Sequence, residues 1–226
     1  MIHMIVLATR NQGKVREMRE ILRDFPVEIR SLNDFGPIPE VDEDGATFDD
    51  NAYKKAAFTA KVLGLPAMAD DSGLVVPALH GAPGVHSARY AGKEAADRDN
   101  IDKLLREMAG LTDRRAAFEC VISLAVPSGP ALTYVGRCEG EIAPAPSGGE
   151  GFGYDPVFYY PPFGKTFAEL SMEEKNRVSH RGAALREMVA EFDKVLTWLR
   201  LRLAEAKAPK PDHRQFENND WSEAKS

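Results

Sequence analysis

The chain has 226 residues, 43% hydrophobic and 28% charged, which suits one large globular domain or two small ones with a sizeable core. A formal net charge of −6 argues against a surface that attracts nucleic acid or anionic membrane, so an anionic ligand needs a local cluster of Lys and Arg. Cys120 and Cys138 make neither a disulfide framework nor a metal spacing, no run reaches membrane-spanning length, and a reducing cytoplasm is the expected compartment.

The first eight residues are apolar but too short and too quickly followed by charge for a signal peptide. Ile5-Val6-Leu7-Ala8 reads as a buried strand and Thr9-Arg10-Asn11-Gln12-Gly13-Lys14 as the loop after it. Val15, Met18, Leu22 and Phe25 recur at helical spacing and predict an amphipathic helix over about 14–25. Residues 40–45 form an acidic loop. Thr47-Phe48-Asp49-Asp50 has the shape of a capping box, and a helix follows with Ala52, Ala56, Thr59, Ala60 and Leu63 on one stripe.

Pro66 to Ala69 reads as a short strand that ends at Asp70-Asp71-Ser72-Gly73. Successive side chains on a strand point to opposite faces, so only one of Asp70 and Asp71 can serve a pocket. Asp, Ser and Gly also make a plain turn. Residues 77–92 carry too much Pro and Gly for regular structure, and Ile101, Leu104, Leu105 and Met108 mark a short helix. Residues 117–126 and 131–135 form a hairpin around Pro127-Ser128-Gly129-Pro130. A glycine-rich loop covers 148–156. A second capping box starts at Ser171, and Leu185, Met188, Phe192, Val195 and Leu199 define one long C-terminal helix. The polar tail 207–226 has no period and is expected to be disordered. Alternating helices and strands followed by paired strands indicate an α/β fold, a mixed central sheet flanked by helices.

Three sets of residues point to chemistry. Lys14, Lys175 and the pair His180-Arg181 are basic residues at loop or helix-start positions. His180 and Arg181 fall in the first turn after the N-cap candidate Ser179, where a basic residue opposes the helix dipole unless an anion sits there. A solvated Arg without a role is the alternative. In the loop Gly151-Phe152-Gly153-Tyr154-Asp155-Pro156 the aromatic rings offer faces for a flat base, and Asp155 can accept from a base edge or ribose. Its aromatics are also explained as core. Asp50 is either a helix cap or a carboxylate that joins Asp71 around a hard cation such as magnesium.

In order along the chain, Thr9 to Lys14, Thr47 to Ala52, Asp70-Asp71-Ser72-Gly73-Leu74 through Pro83-Gly84-Val85 to Ser87-Ala88-Arg89-Tyr90-Ala91-Gly92, Gly151 to Pro156, Thr166 to Glu169, and Lys175-Asn176 with Ser179-His180-Arg181 resemble the dITP/XTP pyrophosphatases. The resemblance spans about residues 4 to 200. It implies one nucleotide pyrophosphatase domain over 1–206 with an elongated sheet and a nucleotide cleft between two lobes. It also implies hydrolysis of dITP, ITP and XTP to monophosphate and pyrophosphate, in a cytoplasmic homodimer that takes a small nucleotide and neither nucleic acid nor membrane. By the same resemblance Asp71 is the catalytic carboxylate and a Mg2+ ligand, and Asp50 a second metal acid. Thr9, Arg10, Asn11, Gln12, Gly13, Lys14, Ser72, Phe152, Gly153, Tyr154, Asp155, Lys175, His180 and Arg181 are the implied substrate contacts. The family usually carries Glu where Asp50 stands. A broader nucleotide hydrolase and a non-catalytic nucleotide-binding regulator are the competing functions.

Overall fold

A computed structural model describes residues 4–39 and 41–207. Seven strands form one mixed sheet in the order β2-β1-β3-β4-β5-β6-β7. Strand β1 (Met4–Leu7) lies parallel to both β2 (Glu28–Ser31) and β3 (Ala67–Val75). The remaining strands, β4 (Arg115–Ala125), β5 (Ala131–Ile142), β6 (Phe158–Tyr160) and β7 (Lys165–Thr166), add on antiparallel. This is the expected α/β architecture with a mixed sheet.

Local sequence accounts for most helix boundaries. Helix α1 (Gln12–Leu22) starts where the Asn11 side chain accepts from the Lys14 backbone N–H at 3.1 Å. It ends short of the expected Phe25, ahead of Pro26, because a residue before proline is pushed out of the helical region. Thr47 caps α2 (Phe48–Leu63), and Gly64 closes it with φ +66°. The stripe Ala52, Ala56, Ala60 is fully buried and lets α2 lie close on the sheet, where Ala67, Ala69 and Ala125 face it. Ser171 and Glu174 form the expected capping box of α4 (Met172–Val178).

Three expectations need correction. Residues 70–73 form no turn: β3 continues through them to Val75, because β4 pairs with it along its whole length, from Ala67↔Ala125 to Val75↔Ala117. The segment 77–92 holds two 3-10 helices, Pro77–Leu79 and Gly84–Arg89, followed by α3 (Asp97–Glu107). The C-terminal helix is split into α5 (His180–Ala190) and α6 (Phe192–Lys207) at Glu191, whose carboxylate accepts from the Tyr134 hydroxyl of β5 at 3.0 Å. The apolar stripe survives the break, since Leu185, Met188, Phe192, Val195 and Leu199 bury in one cluster with Val15, Met18 and Leu22 of α1. Helix α6 runs through Lys207, and the disorder expected for 208–226 lies outside the described residues. No helix among the described residues is long and apolar enough to cross a membrane.

Candidate active site

Pairing of β1 with β3 stops at Leu7↔Met68, whereas β3 runs on to Val75 with β4 on its other side. A cleft of about 430 Å³ opens in this region, in the size range of small-ligand pockets. The β1–α1 loop, the loop before α2, α2 itself, β3, α3, the 152–155 loop, Lys175 of α4 and the start of α5 line it. Close backbone approach demands Gly73: a Cβ there would collide with Gly84 O and Ser87 Oγ. Ser87 Oγ also accepts from the Leu74 N–H at 2.9 Å, satisfying part of β3.

The pleat of β3 assigns the two carboxylates to different faces. Asp71 points to the α2 face, where Asn51 Nδ2 and Lys55 Nζ each donate to it at 3.1 Å. Asn51 and Lys55 are one helical turn apart and so share a side of α2. Lys55 also donates to Glu43 at 2.9 Å, so one ammonium joins two carboxylates on the cleft wall. Arg89 donates to the Glu43 carbonyl at 2.8 Å and ties that loop down. Burial pushes the Asp71 carboxyl up, and Glu43 adds to the rise; Lys55 and Lys14 offset it only in part. Burial acts to lower the Lys55 ammonium, but Asp71, Glu43 and Asp70 outweigh it and hold its pKa high.

Asp70 points to the opposite face, into a buried ionic set. Lys14 Nζ lies 3.0 Å from it, and Arg181 Nη2 and Nε donate to it at 2.8 and 3.2 Å. Arg181, 1% exposed, also donates to Ser72 Oγ at 2.9 Å and to Glu17. Glu17 accepts from Lys175 Nζ at 2.7 Å, and Lys175 donates to Asp155 at 2.6 Å. Burial would raise the carboxyls of Asp70 and Glu17, but the surrounding cations win and both stay below the usual range. Burial wins at Asp155, whose carboxyl is raised despite Lys175.

Against Gly13 at the start of α1, the Phe152 ring lies under Lys175 Nζ at 4.7 Å and Arg181 Cζ at 5.7 Å. His180 stacks on Phe118 at 4.6 Å, with its Nδ1 buried and unpartnered. Burial, with Arg181 and Lys175 nearby, pushes the His180 imidazole well below its usual range, so it is neutral at pH 7.

The expected substrate residues fall into distinct places. Thr9, Arg10, Asn11, Lys14, Asp71, Ser72, Phe152, Gly153, Tyr154, Asp155, Lys175, His180 and Arg181 all line the cleft. Gln12 and Gly13 do not; Gln12 is exposed, and Gly13 is needed because a Cβ would run into the Phe152 ring. Tyr154 offers no stacking face: it is 4% exposed and its hydroxyl donates to the Ser87 carbonyl at 2.9 Å. Asp155 is taken up by Lys175 and by the Phe152 N–H, which donates to it at 2.9 Å.

Asp50 is the main correction. It is exposed, outside the cleft lining, and accepts from its own cap residue Thr47 Oγ1 at 2.7 Å. One residue along a helix turns the side chain by about 100°, so when Asn51 and Lys55 face Asp71, Asp50 cannot. Glu43, from the acidic loop, is the carboxylate that shares Lys55 with Asp71 on the cleft wall. Glu17 was also missed, although a Glu beside buried Met18 and one turn past Lys14 is a signal that it faces inward.

Among the described residues, no three His, Cys, Asp or Glu side chains gather at one point. Magnesium does not require that, since it takes one or two carboxylates with waters and substrate phosphates. Asp71 and Glu43, already joined through a cation, fit that donor set.

A family model described as the Ham1 family matches residues 5–191. A protein of Desulfotalea psychrophila named dITP/XTP pyrophosphatase is 65% identical over 222 residues, covering 98% of this chain and 100% of that protein. One of the same name from Syntrophobacter fumaroxidans is 66% identical over 201 residues, 89% of this chain and 87% of its own. The solved structure of a HAM1 protein from Coxiella burnetii superposes with a TM-score of 0.78 at 47% identity, over 85% of this chain and 100% of that one.

Proposed function

The chain belongs to the Ham1 family, and from that premise we propose that it hydrolyses dITP, ITP and XTP to the monophosphate and pyrophosphate. The observation that carries the proposal is Asp71, a buried-edge carboxylate with raised pKa on the wall of a cation-lined cleft. Lys14 and the backbone N–H groups at the start of α1 hold the phosphates, because a helix start favours anions. Phe152 supports the base. Asp71 and Glu43 would hold the magnesium ion, which supplies charge neutralisation on the phosphates.

Asp71 orients a water towards the α-phosphorus and takes its proton as the new P–O bond forms. Asn51 and Lys55 fix the carboxylate's rotamer, and its raised pKa makes it a better proton acceptor than an ordinary Asp. The bond to the β-phosphate breaks, and Lys14 stabilises charge on the departing pyrophosphate. Neutral His180 offers a hydrogen-bonding nitrogen for the base edge. The reading includes a cytoplasmic homodimer acting on free nucleotides through a single domain over 1–206; the charge of −6 supports the exclusion of polyanionic partners.

Incubation with dITP or ATP and Mg2+, followed by identification of the phosphorus products, tests the proposal. Pyrophosphate and dIMP from dITP, with ATP spared, are expected. Orthophosphate would replace it with a broader hydrolase, and no product with a non-catalytic binder.

A further inference from the structure

Glu17 takes no part in the reaction as described, yet it is the point where two arms of the buried ionic set meet. It is 5% exposed, lies on α1 one turn beyond Lys14, and accepts from Lys175 Nζ at 2.7 Å and from Arg181. Lys175 passes the link on: it donates at 2.6 Å to Asp155 Oδ2, the oxygen that also accepts from the Phe152 N–H at 2.9 Å. A continuous line of hydrogen bonds therefore runs from the helix behind the phosphate loop to the loop that carries Phe152. The geometry points to Glu17 as a positioning residue for base recognition, holding Lys175, and through Asp155 the 152–155 loop, in register with the phosphate end of the cleft. This assignment rests on the nucleotide reading proposed above.

The two arms do not depend on Glu17 equally. Arg181 keeps Asp70 and Ser72 if Glu17 is lost. Lys175 keeps Asp155 alone, and a lysine on a four-carbon stem held by one carboxylate has rotamer freedom that two carboxylates remove. Charge argues the same way: Lys14, Lys175 and Arg181 are balanced by Asp70, Glu17 and Asp155, and a neutral residue 17 leaves an unmatched buried cation. Asp155 is then pulled towards Lys175 wherever that ammonium settles, and the Phe152 N–H moves with it.

Glu17→Gln keeps the side-chain size and removes the charge. The kcat/KM preference for dITP over ATP is expected to fall by about tenfold, mostly through KM for dITP, with pyrophosphate still the product. In a Lys175→Gln background the same substitution should change that preference by less than about twofold, because the residue it acts through is gone. A lowered melting temperature with the preference unchanged, or equal losses on dITP and ATP, overturns the assignment and leaves Glu17 a stabilising residue only. If Glu17→Gln does not fold alone, the charge-balanced pair with Lys175→Gln is compared with Lys175→Gln: equal preferences support the assignment, and a further loss overturns it. Wild-type protein that releases no pyrophosphate from dITP refutes the nucleotide reading instead.

Discussion

Asp70→Asn removes the buried carboxylate that Lys14 and Arg181 share. The Asp70 side chain is fully buried, with Lys14 at 3.0 Å and Arg181 at 2.8 Å. Asn fills the same volume, so no cavity term arises and the loss is electrostatic. Breaking a buried pair by removing one partner costs about 3–5 kcal/mol, because a charge stays buried without compensation. Lys14 keeps some contact with water, its side chain being 17% exposed, and Arg181 keeps Glu17 and Ser72. The lower end, about 3 kcal/mol, is therefore expected. For a chain of this size it corresponds to a fall in melting midpoint of about 6–12 °C. Urea and thermal unfolding of both proteins at pH 7 read the difference. Its pH dependence has a definite sign: burial alone would raise the Asp70 carboxyl, but Lys14 and Arg181 hold it below its unfolded value. Its contribution is thus complete above the unfolded pKa and is lost only as pH falls through the lower folded one. The gap between the two proteins should stay constant from pH 7 down to about pH 4 and narrow below that. A variant within about 1 kcal/mol of wild type at pH 7, or a gap already shrinking between about pH 7 and 5, refutes the reasoning.

Asp71→Asn should reduce pyrophosphate release by at least about a thousandfold while the melting temperature holds, since base and metal ligand vanish together; an active variant excludes Asp71 as the base. In the wild type, the acid limb of kcat/KM should lie above the ordinary carboxylate value of 3.8, because burial raises Asp71 and only its deprotonated form accepts a proton. A pH-rate profile with that limb at or below 3.8 contradicts the assignment. Glu43→Gln should raise the Mg2+ concentration for half-maximal activity by about tenfold, whereas Asp50→Ala should leave it unchanged. A magnesium titration showing the reverse order restores Asp50 as the second acid. Gly136→Ala should destabilise by about 1–3 kcal/mol in urea, because a Cβ on β5 meets the His180 carbonyl and the Ala184 N–H of α5, backbone atoms that cannot swing aside.

How far the site was legible depends on the range of the interaction involved. Asn11, Thr47, Ser171 and Ser179 announce helix starts because a cap involves residues two or three positions away. The alternation of Asp70 and Asp71 was equally readable, although their setting as a turn was not. A turn signal of Asp, Ser and Gly yields when a long neighbouring strand offers every backbone group a partner. Asp50 looked like a metal acid because its type and its helix were right. Only the rotation of α2 against β3 shows that residues 51 and 55 take that face.

The amino-acid sequence by itself determined the capped helices, the hairpin of β4 and β5, the apolar stripes, and the ordered blocks that resemble one family. Each of these rests on neighbours a few positions apart or on residue type alone. The tertiary structure decided which acids stand on the cleft wall and which are tied up in buried ion pairs. Glu17 meets Lys175 and Arg181 across 158 and 164 residues, and Asp70 meets Arg181 across 111. Burial turns those meetings from weak surface pairs into the frame of the cleft, because charges removed from water must find one another. A periodicity of two or 3.6 residues carries no information about such distant partners, so the pairing of Asp71 with Asn51 and Lys55, and of Asp70 with Lys14 and Arg181, belongs to the fold.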